Sequence, residues 1–452
     1  MASKLNVKHI FSKALFSKKQ KVFCRAPFGA LRFNRSGGVQ VCCQHLDLQY
    51  LSDINLHDIW FGEQLQLMRQ QMQHFDIPAS CNYCKMEYQH GNPDIVMARS
   101  FDNLPINTNG YPSLMDFSLE NTCNLKCIMC DASLSSSIEK SNTEGNNGQY
   151  NYDANFLEQL REFIPHLKTT LFSGGEPFLI DINYKIWALL LQENPNVVIN
   201  VTTNGTVLND RIKSMLYKGK FNITVSIDSF EKKHYEAIRV NANYEKTMAN
   251  LRWFSEYCNQ HGTKISVSAC PMQINRWDIP GVLKHCNANN LGLHFNKVIK
   301  PWYQALWSLS SEELQDLHDY YAQSLPGHAN TPVQKENKKA YSALMKQIEQ
   351  FRDRAANRGK KNISDLHHND FRKDAKITMK EIVSMSAISD DEKAHCYEKI
   401  DDSIDMLPDM LFTQALINRI NNMNRKMLLS ELESSSAPLL ADHITILAYN
   451  AV

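Results

Sequence analysis

Between residues 112 and 300 short apolar runs alternate with longer stretches of helical period. The runs "LMDFSLE", "TTLFSGG", "NVVINVTTNG", "NITVSIDS", "KISVSACP" and "LHFNKVI" have the length and β-branched content of strands. Between them "ANFLEQLREFIPHL", "RIKSMLYKG" and "YEKTMANLRWFSEYCNQHG" space their apolar positions as helices do. Strands alternating with helices predict a parallel sheet, and right-handed crossovers would curl it towards a barrel. Residues 21–100 read differently: "FCRAPFGALRFNRSGGVQVCCQH" predicts a strand, a glycine turn and a second strand, followed by the amphipathic "LHDIWFGEQLQLMRQQMQHF" and then "PASCNYC". From residue 301 to 452 the chain is polar and mainly helical, with "RAANRGKKN" as an exposed turn or linker. The expected architecture is α/β: a partial six-fold (β/α) barrel, a small cysteine-rich N-terminal α+β domain and a helical C-terminal region.

Composition narrows the picture only in places. A chain of 452 residues carries two or three folding units. A formal charge of +1 gives no electrostatic footprint for nucleic acid. No apolar run approaches the roughly 18 residues of a membrane span, so none is expected. Residues 1–20 are basic and mildly amphipathic, without a secretory signal's apolar core; they read as a basic arm, with an organellar transit peptide as the alternative.

The cysteines are more informative. Of twelve, Cys24, Cys42, Cys43, Cys81, Cys84, Cys123, Cys127 and Cys130 precede residue 131. Clustered thiols in a chain without a secretory signal point to metal ligation in a reducing compartment, most simply the cytoplasm. Cys123, Cys127 and Cys130 follow the first strand of the series with the spacing C-x3-C-x2-C. Ligands in strand-wound sheets gather at the C-terminal strand ends, so this loop is placed for a site. Three thiolates can hold three irons of a cubane and leave the fourth without a protein ligand. The alternative is a zinc knuckle completed by a distant fourth residue.

"CNLKCIMC", "FSGGEP", "TTNG" and "VSIDS" with a later "IR" occur in this order at strand ends. Together they resemble the radical S-adenosylmethionine (radical SAM) superfamily over roughly residues 112–300. The resemblance implies a 4Fe-4S cluster on Cys123, Cys127 and Cys130. SAM would bind the open iron and be reductively cleaved to a 5′-deoxyadenosyl radical. It assigns Gly174, Gly175 and Glu176 to the SAM amino group, the glycines allowing close backbone approach and Glu176 supplying an acceptor. Thr203 and Asn204 would bind polar groups at the sheet rim. Ser226 would reach the ribose, Arg239 the SAM carboxylate, and Asp228 the substrate as a catalytic residue. Many relatives carry an aromatic before the third cysteine; here Met129 stands there and would pack near the adenine.

The N-terminal region resembles the auxiliary-cluster module known as SPASM, or its shorter form, twitch, although relatives place it after the barrel. Cys24, Cys42 or Cys43, Cys81 and Cys84 would supply four thiolates, with Cys42 preferred for its spacing from Gly38 and Cys43 as a buried thiol. Zinc is the alternative occupant. Cys258, Cys270, Cys286 and Cys396 read as core thiols, although Cys270 ends the fifth strand and can point into the barrel. The implied function is radical SAM chemistry on a peptide or protein, or on a sugar or other small molecule, with electrons from a flavodoxin or ferredoxin. The competing class is a non-catalytic iron–sulfur or zinc scaffold.

Overall fold

The computed structural model describes residues 22–45, 47–81, 84–85, 88, 96–140, 149–298, 301 and 304–356, and between 375 and 444 residues 375–377, 379–380, 383–384, 388–407, 432, 440–441 and 444. The basic arm and the "RAANRGKKN" segment from residue 357 onward lie outside them. Nine strands are described: β1 (Ala30–Asn34), β2 (Gly38–Gln40), β3 (Gln49–Tyr50), β4 (Leu114–Ser118), β5 (Thr169–Phe172), β6 (Val198–Thr203), β7 (Phe221–Ser226), β8 (Ile265–Ala269) and β9 (Gly292–Phe295). They form one sheet in the order β3-β2-β1-β4-β5-β6-β7-β8-β9. From β4 to β9 every neighbour is parallel, as the six expected βα repeats require.

The N-terminal strands are not set apart. β1 pairs in parallel with β4 along its whole length, Ala30 opposite Leu114 through Asn34 opposite Ser118. β2 and β3 then extend the sheet as antiparallel ribbons. The predicted helix 56–75 is also divided, into Leu56–Phe61 and Glu63–Gln73, because Gly62 takes an extended ψ of 166°.

Side-chain alternation gives the sheet two unlike faces. One carries Phe172, Ile199, Val201, Ile223, Val225 and Val267, all buried. Helices cover it: Trp187 stands edge-on to Phe172 at 5.3 Å and to Phe221 at 5.8 Å. The other face is polar. Register aligns Arg32, Asp116, Leu171, Asn200 and Asn222 in one row across β1 and β4–β7. Thr202, Thr224 and Ser266 make a second row, and Ser226, Ser268 and His294 a third. Helix ends are capped locally: Asp153 accepts from Asn155 and Phe156 N–H, and Gly262, at φ 64°, closes helix Tyr244–His261.

The chain divides into two compact units. The first comprises Met1–Cys270, Asp278–Asn296 and Pro326–Ala340, and the second Pro271–Trp277, Lys297–Leu325 and Tyr341–Val452. In the second, Tyr321 stacks on Tyr341 at 5.4 Å and donates to the Arg276 carbonyl. Its helices Ser311–Gln323 and Asp390–Asp405 each begin with a reciprocal capping box. Met379, Val383, Ile400, Ile404 and Leu432 belong to an apolar cluster of its own.

Candidate functional site

The loop after β4 is built around its three cysteines. Cys123 N–H donates to Ser136 Oγ at 3.1 Å, and Ser137 Oγ returns a bond to the Cys123 carbonyl at 2.7 Å. Ser135, fully buried, donates to the Leu125 carbonyl. On the other side Lys126 and Ile128 N–H bond the carbonyls of Val240 and Ile238, so the backbone flanking Arg239 clamps the backbone flanking Cys127. That pairing aims the guanidinium: Arg239 Nη1 lies 3.8 Å from Cys127 Sγ.

The thiols feel this setting. Cys130 donates to Cys127, and together with Arg239 this outweighs burial and brings Cys127 down to about 7. The same bond pushes Cys130 up, and burial raises Cys123. Asn204 Nδ2 lies 3.9 Å from Cys123 Sγ and donates to Asn124 Oδ1 at 2.9 Å. Asn124 in turn donates to Thr206 Oγ1. Asn124 and Thr206 were not singled out from the sequence; their signal was a short polar side chain beside a cysteine and beside "TTNG".

The glycine pair serves this loop. Gly174 and Gly175 have φ of 77° and 51°. A Cβ on Gly174 would meet Ser118 Oγ at 2.3 Å, and one on Gly175 the Thr122 carbonyl at 2.5 Å. Both close approaches are to the base of the cysteine loop. Glu176 likewise turns inward. It is fully buried, accepts from Thr203 Oγ1 at 2.8 Å, Asn204 N at 2.7 Å and Phe178 N at 3.1 Å, and burial pushes it up to about 7 against those bonds. Thr203 and Asn204, expected to meet polar groups at the rim, thus hold Glu176 and the loop.

Asp228 is fully buried. Its Oδ2 forms an ion pair with Arg239 Nε at 2.9 Å, and its Oδ1 accepts from Cys270 N–H at 2.7 Å. Burial pulls Arg239 down, but Asp228, Cys127 and Cys270 around it carry it well above its ordinary value. The pair nominated for two different ligands therefore meets within the protein. Ser226 ends β7 half-buried on the polar face, level with Ser268. Met129 is half-buried in the cysteine loop.

The second set also converges. Cys24, Cys42, Cys81 and Cys84 line one pocket with Phe23, Val41, His45 and Met72. Burial raises all four thiols, Cys42 and Cys81 to about 12. Cys43 is exposed and stands outside this lining, near Arg32 and Asp116. Of the remaining cysteines, Cys258, Cys286 and Cys396 are buried core thiols. Among the described residues no three His, Cys, Asp or Glu side chains converge tightly enough to chelate a single metal ion.

Residues 118–273 match the family model described as Radical SAM superfamily. The chain carries a radical SAM domain. It is 28% identical over 184 residues to the GTP 3′,8-cyclase of Corynebacterium glutamicum, covering 39% of this chain and 47% of that protein. It is 29% identical over 172 residues to the probable GTP 3′,8-cyclase of Methanocella arvoryzae, covering 38% and 49%. The chain thus spans about half the length of the curated relatives it matches. Solved structures similar to it include anSMEcpe with bound AdoMet (19% identity, 46% of this chain and 58% of that one, TM-score 0.36). Another is Streptococcus suis SuiB bound to S-adenosylmethionine (15% identity, 59% of each chain, TM-score 0.36).

The radical SAM domain's cysteine loop suits the 4Fe-4S cluster of that superfamily. It offers three thiols, one already drawn towards the thiolate, with N–H donors of Arg239 and Asn204 directed at two of the sulfurs.

Proposed function

We propose that this chain is a radical SAM enzyme acting on an uncharged, hydrogen-bonding substrate, a peptide or protein segment being the favoured class. The cysteine loop carries the reading: Cys123, Cys127 and Cys130 share it, and Arg239, held by Asp228, places Nη1 3.8 Å from Cys127 Sγ. When bound, such a cluster would supply one-electron reductive cleavage of the SAM sulfonium, the chemistry that starts hydrogen abstraction from substrate. Cys123, Cys127 and Cys130 would hold that cluster. Gly174, Gly175, Glu176, Thr203 and Asn204 brace its loop, and Ser226 and Met129 border the space a nucleoside would enter. The electron would come from a flavodoxin or ferredoxin.

The polar face of the sheet supports the substrate class. Among its described strand residues Arg32 is the one Lys or Arg, and Asp116 neutralises it at 3.2 Å. The rest of the rows are amides, hydroxyls, Leu171 and His294. A triphosphate calls for several fixed cations; a peptide backbone calls for donors and acceptors. The relatives named GTP 3′,8-cyclase favour a second reading, modification of a small molecule.

The N-terminal pocket would hold a second, auxiliary cluster on Cys24, Cys42, Cys81 and Cys84. Four thiols raised by burial are costly to ionise alone and are relieved by binding a metal cluster. The test is anaerobic reconstitution with iron and sulfide, then SAM and a strong reductant. 5′-Deoxyadenosine should accumulate, and Cys127→Ala should abolish it. Persistence of the product in that variant refutes the assignment.

A further inference from the structure

The pocket holding Cys24, Cys42, Cys81 and Cys84 is otherwise lined by apolar residues, with two polar exceptions, Gln44 and His45. Gln44 is exposed, whereas His45 is only 5% exposed. His45 is thus a buried residue of the pocket lining.

The backbone of His45 is fixed from two directions. Its N–H bonds the Cys42 carbonyl at 3.1 Å, closing a tight turn that starts at one of the four thiols. Its carbonyl accepts from Gln40 Nε2 at 2.9 Å. Gln40 Oε1 in turn accepts from Arg32 Nη1 at 2.7 Å, and Arg32 Nε pairs with Asp116 on β4 at 3.2 Å. A continuous chain of polar contacts thus runs from the barrel strand that leads into Cys123 to the backbone carbonyl of His45 beside the second pocket.

We propose that His45 sets the reduction potential of the cluster held in this pocket, by donating a ring N–H to a cluster or cysteine sulfur, and that Arg32 and Gln40 position it. This rests on the auxiliary-cluster reading above. The chemistry is direct: reduction adds negative charge to the cluster, and an N–H donor on sulfur stabilises the reduced form more than the oxidised one. Removing the donor should make the cluster harder to reduce.

The test uses the full chain in a Cys127→Ala background, so that the auxiliary signal is read alone, reconstituted and titrated against potential by EPR. His45→Phe should shift the reduction equilibrium at least tenfold towards the oxidised form, which is about 59 mV for a one-electron couple. His45→Gln, which keeps an N–H donor, should stay near the parent value. Gln40→Ala should fall between. An unchanged midpoint in His45→Phe with iron intact overturns the proposal. Iron loss in both His45 variants overturns it too, since His45 would then be a ligand or a folding element. Zinc, or no metal, at the four thiols of the parent refutes the auxiliary-cluster reading itself and takes this inference with it.

Discussion

Asp228 and Arg239 form an ion pair at 2.9 Å, with side-chain exposures of 0% and 9%, and the same guanidinium faces Cys127 Sγ at 3.8 Å. An aspartate so placed is expected to act through the arginine. Removing one partner of a buried pair leaves an uncompensated charge and costs about 3–5 kcal/mol. Asp228→Asn keeps an acceptor for Cys270 N–H but drops the charge. The expected outcome is a loss of that size in denaturant unfolding, together with weaker iron retention at Cys123, Cys127 and Cys130. If Asp228 acts on substrate instead, turnover falls while stability and iron stay at wild-type levels.

The glycine pair separates backbone strain from mere flexibility. Gly175→Ala drives a Cβ to 2.5 Å from the Thr122 carbonyl at φ 51°, against the backbone of Asn121 and Thr122. Gly262 has φ 64° but nothing within 4 Å of its added Cβ. Gly262→Ala should therefore cost only the left-handed penalty, about 1–2 kcal/mol. Gly175→Ala should cost more than that and should also lower iron content at the first site. Unfolding curves and iron assays on the two variants check both halves; equal penalties would refute the packing argument.

The barrel strands were legible because helices cover one face of the sheet, so Ile199 and Val201, or Ile223 and Val225, alternate visibly with polar neighbours. The cysteine trio stood out by its C-x3-C-x2-C spacing, but that spacing left cubane and zinc knuckle both open until the later motifs were read with it. Pairing of β1 with β4 was not: Arg32 and Asp116 are 84 positions apart, and no local pattern encodes which distant strand a short run joins. The direction of polar side chains was hidden for a similar reason. Glu176, Thr203 and Asn204 have the chemistry of ligand contacts, yet at a sheet rim the same groups can satisfy one another. The closure of Thr203 onto Glu176, from the next strand, is a contact that only the folded chain reveals.

A pH dependence should mark the seam between the N-terminal hairpin and the cysteine loop. Glu139 accepts from Asn121 Nδ2 at 2.9 Å and from Arg35 Nη2 at 2.8 Å, and these two bonds hold its carboxyl below the usual range. A depressed carboxylate contributes stability above its unfolded value, ordinarily near 4.3, and loses it as pH falls through the folded value. The unfolding midpoint of the metal-free chain should therefore drop below about pH 4.3. Glu139→Gln should lack this part of the slope. Superimposable pH profiles for the two proteins would show that the seam contributes nothing.

The choice between Cys42 and Cys43 yields the sharpest metal-removal experiment. Cys42 lines the pocket with Cys24, Cys81 and Cys84, whereas Cys43 is exposed beside Arg32 and Asp116. A cubane ligated by four thiolates does not survive the loss of two of them. Cys81→Ala with Cys84→Ala should lower iron from roughly eight to roughly four per chain while 5′-deoxyadenosine formation continues. Cys42→Ala should degrade the same cluster, and Cys43→Ala should leave iron and EPR signal untouched. The reverse result for the last two would move the ligand to Cys43. That would require the turn Cys42–His45 to open, because its closing bond from His45 N–H to the Cys42 carbonyl fixes which thiol faces inward.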